Sequence, residues 1–163
     1  MKNRLTNILI TMLAACLLLT GGSIATAAES PKVKEAMKLL RETTDKLGKP
    51  KLEGDVLIFG STKINNDFTV VDSVKAKLGG TATLFVKKGG NFVRVSTNVM
   101  KDGNRAVGTS LDPSGPAAAA IKQGGSFYGA VDILGKIYDT GYEPIKNAAG
   151  EIIGVYYVGY SLE

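Results

Sequence analysis

The sequence predicts one α+β domain, in which an antiparallel sheet of about five or six strands carries helices on its outside. Three observations predict this fold class. A helix-spaced apolar pattern follows Ser30, short β-rich runs separated by turn residues fill most of the remaining chain, and neither a βαβ alternation nor a phosphate-binding loop occurs. The 163 residues suit one domain, and a hydrophobic content of 44% suffices for a packed core.

The first 27 residues predict a secretory leader. A basic start precedes an uncharged stretch, whose strongly apolar part, residues 8–20, is shorter than the ~20 residues that a membrane span needs. Small residues follow and end in Ala25-Thr26-Ala27, after which we expect cleavage. Two alternatives stay open, namely lipidation of Cys16 in a lipobox-like context and retention of the leader as a signal anchor. All three alternatives place residues 28–163, the predicted single domain, in the periplasm or another extracytoplasmic compartment.

Composition excludes several kinds of site. The chain has no histidine, and its one cysteine lies in the predicted leader, so the mature chain has no histidine- or cysteine-based catalytic triad, disulfide or metal site. No carboxylate pair has a spacing that argues for acid–base catalysis. We therefore predict that the protein is not an enzyme and that it binds neither a cofactor nor a metal ion. Without the leader the chain carries 18 basic and 15 acidic residues, a net charge of +3. The basic residues are scattered, which argues against nucleic-acid binding.

The first half of the domain predicts two helices and a strand. Ser30 and Pro31 open a helix over about residues 30–47, with apolar residues at helical spacing and a stop at Gly48. Residues 55–60 predict a short strand. A second helix follows the capping residues 65–67 and ends at the glycine pair 79–80; its apolar stripe is Val71, Val74 and Leu78.

The second half predicts a mainly antiparallel sheet. Residues 81–87 and 91–99 form a hairpin across a Gly-Gly-Asn turn. A loop over residues 101–113 and a short helix that begins at Pro116 come next. Three further strands follow, at residues 126–133, 136–144 and 151–161.

Polar residues recur on one predicted strand face. Alternation places Phe92, Arg94, Ser96 and Asn98 on the same side of their strand. A guanidinium with a hydroxyl and an amide in line can bind a carboxylate. Taken alone, an arginine on a strand is more often a surface residue or part of a structural ion pair.

Tyrosines are concentrated in the last three strands. All six lie between Tyr128 and the C-terminus; Tyr128 and Asp132 share one face of their strand, and Tyr138 and Tyr142 share one face of the next. Sheet packing explains such tyrosines as well as an aromatic ligand pocket does. From the residues alone, both interpretations stay open.

Four segments between residues 70 and 160 resemble the Cache sensor family, specifically its Cache_3/Cache_2 fusion type. They are VDSVKAKLGGTATLFV, FVRVSTNV, GNRAVGTSLDPSGPAAAAIKQGGSFYGAVDILGKIYDTGYEPI and GEIIGVYYVGY, and they occur in matching order. The resemblance implies a PAS-like fold with a long N-terminal helix across one sheet face and a ligand pocket on the other. It also implies a domain of the kind found outside the membrane in chemotaxis receptors and sensor kinases.

The resemblance assigns the pocket to matching segments of this chain. The candidate ligand-binding residues are Arg94, Ser96, Asn98, Tyr128, Tyr138 and Tyr142, followed by Asp132 and by Arg105, which we rank lower because it lies in a glycine-rich loop and could serve only to clamp it. We expect the ligand to be a small carboxylate or amino-acid-like metabolite. Receptors of the family continue into a membrane span and a signalling module after the last strand, whereas this sequence stops there, so we expect signalling to need a membrane receptor or kinase as partner.

Two further expectations concern partners. The domain could form a homodimer through its N-terminal helix. The alternative function is that of an envelope interaction or scaffold protein with the same fold and no ligand, and it predicts a filled sheet face with no cavity beside Arg94.

Overall fold

A computed structural model describes residues 30–163 of the chain. The predicted leader lies outside the described residues. Three helices occur in the described part: α1 (Pro31–Asp45), α2 (Thr69–Leu78) and α3 (Pro116–Lys122). None of these helices has the length and apolar character that crossing a membrane requires.

The central sheet has five antiparallel strands, which confirms the predicted α+β class. They are β4 (Thr81–Lys88), β5 (Asn91–Thr97), β8 (Phe127–Ile133), β9 (Lys136–Lys146) and β10 (Ile152–Ser161), in the spatial order β5-β4-β10-β9-β8. The last strand in the chain therefore occupies the centre. It passes so close to β4 that a Cβ at Gly154 would lie 2.3 Å from the carbonyl oxygen of Phe85.

Helices α1 and α2 cover one face of this sheet. The apolar stripe of α1, which includes Val33, Met37 and Leu40, is buried against β10 and α2. Helix α1 begins without a side-chain cap, although Ser30 holds the N-cap position. Helix α2 ends at Gly79, whose φ of 74° supplies the left-handed C-cap that the glycine pair predicts. We call this side the helix face.

The opposite face is covered by the chain between β5 and β8. This connection contains a two-stranded hairpin, β6 (Met100–Lys101) and β7 (Asn104–Arg105), and then α3. A second apolar cluster fills the space beneath it; its members include Phe85, Phe92, Leu111, Tyr142 and Tyr157. We call this side the pocket face.

The structure contains two small sheets that the sequence did not predict. Besides the β6–β7 hairpin, strands β1 (Pro50–Glu53) and β3 (Thr62–Lys63) flank the predicted strand, which is β2 (Val56–Phe59). Strands of two to four residues do not give a recognisable alternation, and β1 also begins with a proline. These strands therefore had no usable signal in the sequence.

Candidate ligand-binding site

A β-bulge in β5 separates the polar residues that alternation had placed on one face. Ser96 pairs with Leu84 and Arg94 pairs with Phe85, so Val95 is an extra residue between them. An extra residue reverses the side-chain alternation beyond it. Arg94 therefore faces the pocket side, whereas Ser96 and Asn98 face the helices, and the prediction of a single polar row is wrong.

Ser96 and Asn98 hold α2 against the sheet. The Ser96 hydroxyl donates to the carbonyl oxygen of Asp67, just before α2. The Asn98 amide donates to the carbonyl oxygen of Val71 at 2.7 Å, and its oxygen accepts from the backbone N–H of Ala82 at 2.7 Å. Both side chains are buried and satisfied by backbone groups. Their geometry suits a structural task, and neither contacts the cavity described below.

Arg94 is a buried cation without a counter-ion in the described chain. Its side chain is 3% exposed, and no carboxylate of residues 30–163 lies within ion-pair distance. Nη1 donates to Thr109 Oγ1 at 2.8 Å and to the carbonyl oxygen of Ser110 at 3.3 Å, and the guanidinium lies 4.9 Å from the Phe85 ring centre. Nε has no hydrogen-bond partner among the described residues. An arginine in this state retains both a charge and a donor for an anion.

Tyr142 places a second unpartnered group beside Arg94. Its side chain is fully buried, with its ring 5.0 Å from the Tyr157 ring and 6.2 Å from the Phe127 ring. Its hydroxyl has no hydrogen-bond partner within residues 30–163. The hydroxyl of Tyr157, by contrast, shares a hydrogen bond with Thr81 Oγ1 at 3.1 Å.

Arg94 and Tyr142 line a common cavity of about 350 Å³. Its other walls come from the connection after β5 and from the β8–β9 hairpin; they are Ser110, Leu111, Asp112, Val131, Asp132, Ile133 and Leu134. The volume lies at the small end of ligand pockets, which span roughly 300–1,000 Å³. The walls combine apolar side chains with two aspartates and a serine, and the cation and hydroxyl at the buried end are suited to a small anionic group.

Burial changes the protonation behaviour of both groups. Loss of hydration lowers the pKa of Arg94, an effect that the neighbouring Tyr142 and Tyr157 partly oppose. Burial raises the pKa of the Tyr142 hydroxyl, which therefore stays protonated as a donor at neutral pH. Burial likewise raises the pKa of Tyr157. The buried part of the site presents a cation and a neutral hydroxyl, with Asp112 and Asp132 among the outer walls, and an anion bound at Arg94 would offset the cost of its buried charge.

The other predicted tyrosines divide between the faces. Tyr138 lies on the pocket face with Tyr142 and packs, half-buried, against the second apolar cluster. Tyr128 pairs with Gly141 and therefore lies on the helix face. There its hydroxyl donates to the carboxylate of Glu143, which also binds Arg41 at 2.8 Å. Tyr128 therefore does not join the cavity that contains Arg94.

The side chains of Asp132 and Arg105 already bind other groups of the fold. Asp132 lies at the rim of the cavity, where its Oδ1 accepts from the backbone N–H of Gly135 at 2.7 Å. Arg105 binds both carboxylate oxygens of Asp72 on α2, at 2.8 and 2.9 Å, and lies 4.2 Å from the ring centre of Phe68. This ion pair raises the pKa of Arg105. Arg105 thus ties β7 to α2, which is the clamp that its place in a glycine-rich loop suggested.

Two wider grooves border α1 on the helix face, and they differ chemically from the cavity. They measure about 480 and 720 Å³ and share Arg41, Asp45 and Glu143. Cations and carboxylates alternate along them, and Arg41 pairs with Glu143. Neither groove contains an unpartnered buried side-chain atom, so among the described residues the pocket face has the stronger claim to a ligand.

Part of the site was not predicted from the sequence. Tyr157 is one of the six C-terminal tyrosines, and strand register places it opposite Tyr142, its cross-strand partner. Thr109 and Ser110 lie in a segment with no periodic pattern, so nothing in the sequence indicated that they would meet Arg94. Leu134 falls between two predicted strands, where no pattern indicates a cavity wall.

The described residues contain no cluster of three or more potential metal ligands. Comparison with known proteins gives one informative match: the family model of the Cache 3/Cache 2 fusion domain covers residues 4–163. A search of curated proteins finds no significant relative.

Proposed function

Because the chain belongs to the Cache 3/Cache 2 fusion domain family, whose members are typically extracytoplasmic sensor domains, we propose that it binds a small carboxylate ligand between Arg94 and Tyr142. The ligand is a carboxylate-bearing or amino-acid-like metabolite. The occupied domain then contributes to signal transduction or chemotaxis through a membrane receptor or sensor kinase. Cache domains are generally non-enzymatic, and binding alone is the proposed activity.

One observation carries this proposal. Arg94 and Tyr142 line the same cavity, and Arg94 Nε and Tyr142 Oη are buried and lack hydrogen-bond partners within the described chain. Most buried polar groups in folded proteins are hydrogen-bonded, and an unsatisfied one costs ~1–3 kcal/mol. A carboxylate supplies hydrogen-bond acceptors for both donors and a negative counter-charge for the Arg94 guanidinium.

The cavity also supports ligand binding over the scaffold alternative. A scaffold with a filled pocket face would leave no space beside Arg94. The cavity instead lies between Arg94 and the β8–β9 hairpin, at a volume that a small metabolite can occupy.

A carboxylate panel tests the proposal directly. We would titrate the purified protein calorimetrically with acetate, propionate, butyrate, succinate and leucine, after a thermal-shift screen at millimolar concentration. A ligand at 100 times its Kd adds ~2.7 kcal/mol to the free energy of unfolding, which shifts the midpoint measurably. We expect Arg94→Ala to weaken the best ligand at least ~10-fold, because a hydrogen bond to a charged group contributes ~1.5–3 kcal/mol.

Arg105→Ala is the matched control, since it removes the other arginine of the predicted site without altering the cavity lining. Its Kd should equal that of the unmodified protein. Arg94→Gln serves as a second variant, and circular dichroism establishes that each variant is folded. If Arg94→Ala and the unmodified protein bind the best ligand with equal affinity, Arg94 does not bind the ligand carboxylate.

We also propose a homodimer through α1, and the charged surface of this helix limits the kind of contact that two copies can make. The exposed positions of α1 are mostly charged, among them Lys32, Glu35, Lys38 and Glu42. A contact between two copies of α1 would therefore depend on charge pairing and weaken with salt. Sedimentation velocity at 50 mM and 500 mM salt tests this expectation.

A further inference from the structure

The exposed large apolar side chains of the described residues gather at one end of the central sheet. They belong to Met100, Leu134, Ile137 and Leu162 and are 53%, 42%, 43% and 61% exposed. Leu134 lies in the turn between β8 and β9, and the backbone N–H of Leu162 donates to the carbonyl oxygen of Ile137 at 3.0 Å. Met100 lies just beyond β5, which ends on the same side of the sheet as β10. We call this region, at which β4 and β9 begin, the Leu162 end.

The N-terminal helix also begins at the Leu162 end. Lys32 Nζ at the start of α1 lies 4.1 Å from the ring centre of Tyr160, and β10 ends one residue later at Ser161. Residues 1–29, which contain the predicted leader, therefore join the domain here. Lipidation of Cys16 and retention as a signal anchor, two of the three alternatives for this leader, would each attach the chain to a membrane on this side of the domain.

Both edges of the sheet contribute apolar side chains to this end. Met100 follows β5 and Leu134 follows β8, and these are the two edge strands. Four strand spacings of ~4.8 Å lie between them, so the apolar side chains extend over about 19 Å. A protein interface concentrates its apolar residues in one packed core. A bilayer surface is flat over this distance and can accept separate apolar side chains at the level of its headgroups, so the arrangement favours lipid.

Charges at the Leu162 end favour an anionic membrane. Exposed lysines lie there in the first turns of α1, the last turn of α2, β6 and the start of β9; they are Lys32, Lys34, Lys75, Lys77, Lys101 and Lys136. The carboxylates at this end are fewer; they are Glu35, Asp102, Asp132 and Glu163. Glu163 pairs with Lys136 at 3.6 Å. This end therefore carries a net positive charge, which attracts anionic lipid headgroups.

We propose that the Leu162 end binds the surface of a bilayer that contains anionic phospholipids. The four apolar side chains enter the headgroup layer, and the lysines around them contact lipid phosphates. The proposal is independent of the ligand site, because Met100, Ile137 and Leu162 do not line the cavity that contains Arg94.

Vesicle co-sedimentation tests the proposal. We would use residues 28–163, which contain every described helix, strand and core residue but lack the apolar leader, because the leader would itself bind lipid. The vesicles are phosphatidylcholine alone or an equal mixture with phosphatidylglycerol. We expect binding to the mixed vesicles and weaker binding at 500 mM than at 50 mM salt, since salt screens the lysines.

Removing apolar side chains tests their insertion. Met100→Gln combined with Leu162→Gln changes the two most exposed of them. The partition coefficient should fall at least ~10-fold, because full burial of one such side chain already contributes that factor. Circular dichroism establishes that the variant is folded, and unchanged partitioning would overturn the proposal.

Removing lysines tests the contact with anionic headgroups. Lys77→Gln combined with Lys101→Gln should lower binding to mixed vesicles about fivefold per lysine. The matched control is Lys87→Gln combined with Lys146→Gln, which removes the same charge near the opposite end of the sheet. Lys146 pairs with Ile152 at the start of β10, about 30 Å from the Leu162 end and well beyond a Debye length. The control should bind as the unmodified domain does.

A fluorescent label tests the orientation. Residues 28–163 contain no cysteine, so a single introduced thiol can carry a polarity-sensitive dye. The emission of the dye at Leu162→Cys should shift to shorter wavelength on mixed vesicles. Ala149→Cys, in the turn between β9 and β10 at the opposite end, should show no shift. Absence of binding by the unmodified domain, or equal shifts at both positions, would overturn the proposal and leave the Arg94 site intact.

Discussion

Replacing Tyr142 with phenylalanine should stabilise the ligand-free protein and weaken the ligand complex. The hydroxyl is fully buried and has no partner in the described chain, and an unsatisfied buried group costs ~1–3 kcal/mol. Phenylalanine keeps the ring contacts with Tyr157 and Phe127, which lie 5.0 and 6.2 Å away. Allowing for the space left by one oxygen, we expect a net gain of about 1 kcal/mol, or ~3 °C in Tm.

The bound state should respond in the opposite direction. A hydroxyl that donates to a carboxylate contributes ~1.5–3 kcal/mol, so Tyr142→Phe should raise Kd roughly 10- to 100-fold. Urea denaturation measures the stability of the ligand-free protein, and calorimetry with the best carboxylate measures the affinity. A substitution that raises the stability of the ligand-free protein but lowers its affinity for the carboxylate acts through a ligand contact, because a general packing defect would lower both.

Tyr157→Phe provides the contrast on the neighbouring strand. Its hydroxyl has a partner, Thr81 Oγ1 at 3.1 Å, so its removal should cost ~0.5–1.5 kcal/mol in the ligand-free protein. If Tyr142→Phe loses stability as Tyr157→Phe does, the Tyr142 hydroxyl has a partner in solution and the reasoning about an unsatisfied pair is refuted.

Three further outcomes follow from the same structure. Burial raises the pKa of Tyr156 to about 12, so as the pH rises the unfolded chain loses this proton before the folded protein does. The free energy of unfolding should therefore fall by up to ~1.4 kcal/mol per pH unit between pH 10 and 12. The fall should be less steep in Tyr156→Phe. Arg105→Ala should lower stability by about 1 kcal/mol in urea, and a second substitution, Asp72→Ala, should add little to it because the two residues form one pair. Gly154→Ala should cost more than ~2 kcal/mol because its Cβ would meet backbone, whereas Gly90→Ala, with open space around it, should stay within ~1 kcal/mol.

The fold was predictable because its main elements carry strong local signals. The helix-spaced apolar residues of α1 and the glycine that ends α2 correspond to buried contacts and a left-handed cap in the structure. The three C-terminal strands are separated by turn residues and pair in sequence order, so their antiparallel arrangement followed directly.

The site was only partly predictable, because it depends on register and on a connection without periodicity. Arg94 and Tyr142 are the two predicted residues that the structure brings together at the buried end of one cavity, but the bulge at Val95 left no mark that alternation could detect. Tyr128 was assigned to the pocket through the family resemblance, and alternation within its strand could not test this because it does not say which face of the sheet each side chain occupies. The contact between Arg94 and Thr109 depends on how the chain after β5 folds back, which no local pattern encodes.

The bulge also makes β5 a mechanical link between the two sides of the sheet. Within five consecutive residues, Arg94 lines the cavity, Ser96 binds the segment just before α2, and Asn98, the residue after the strand, binds α2 itself. At most four successive residues of backbone separate the Arg94 guanidinium from the hydrogen bonds that Ser96 and Asn98 make at α2 and just before it. The covalent route from the cavity side to the helix layer is therefore one short piece of backbone, and it contains the bulge.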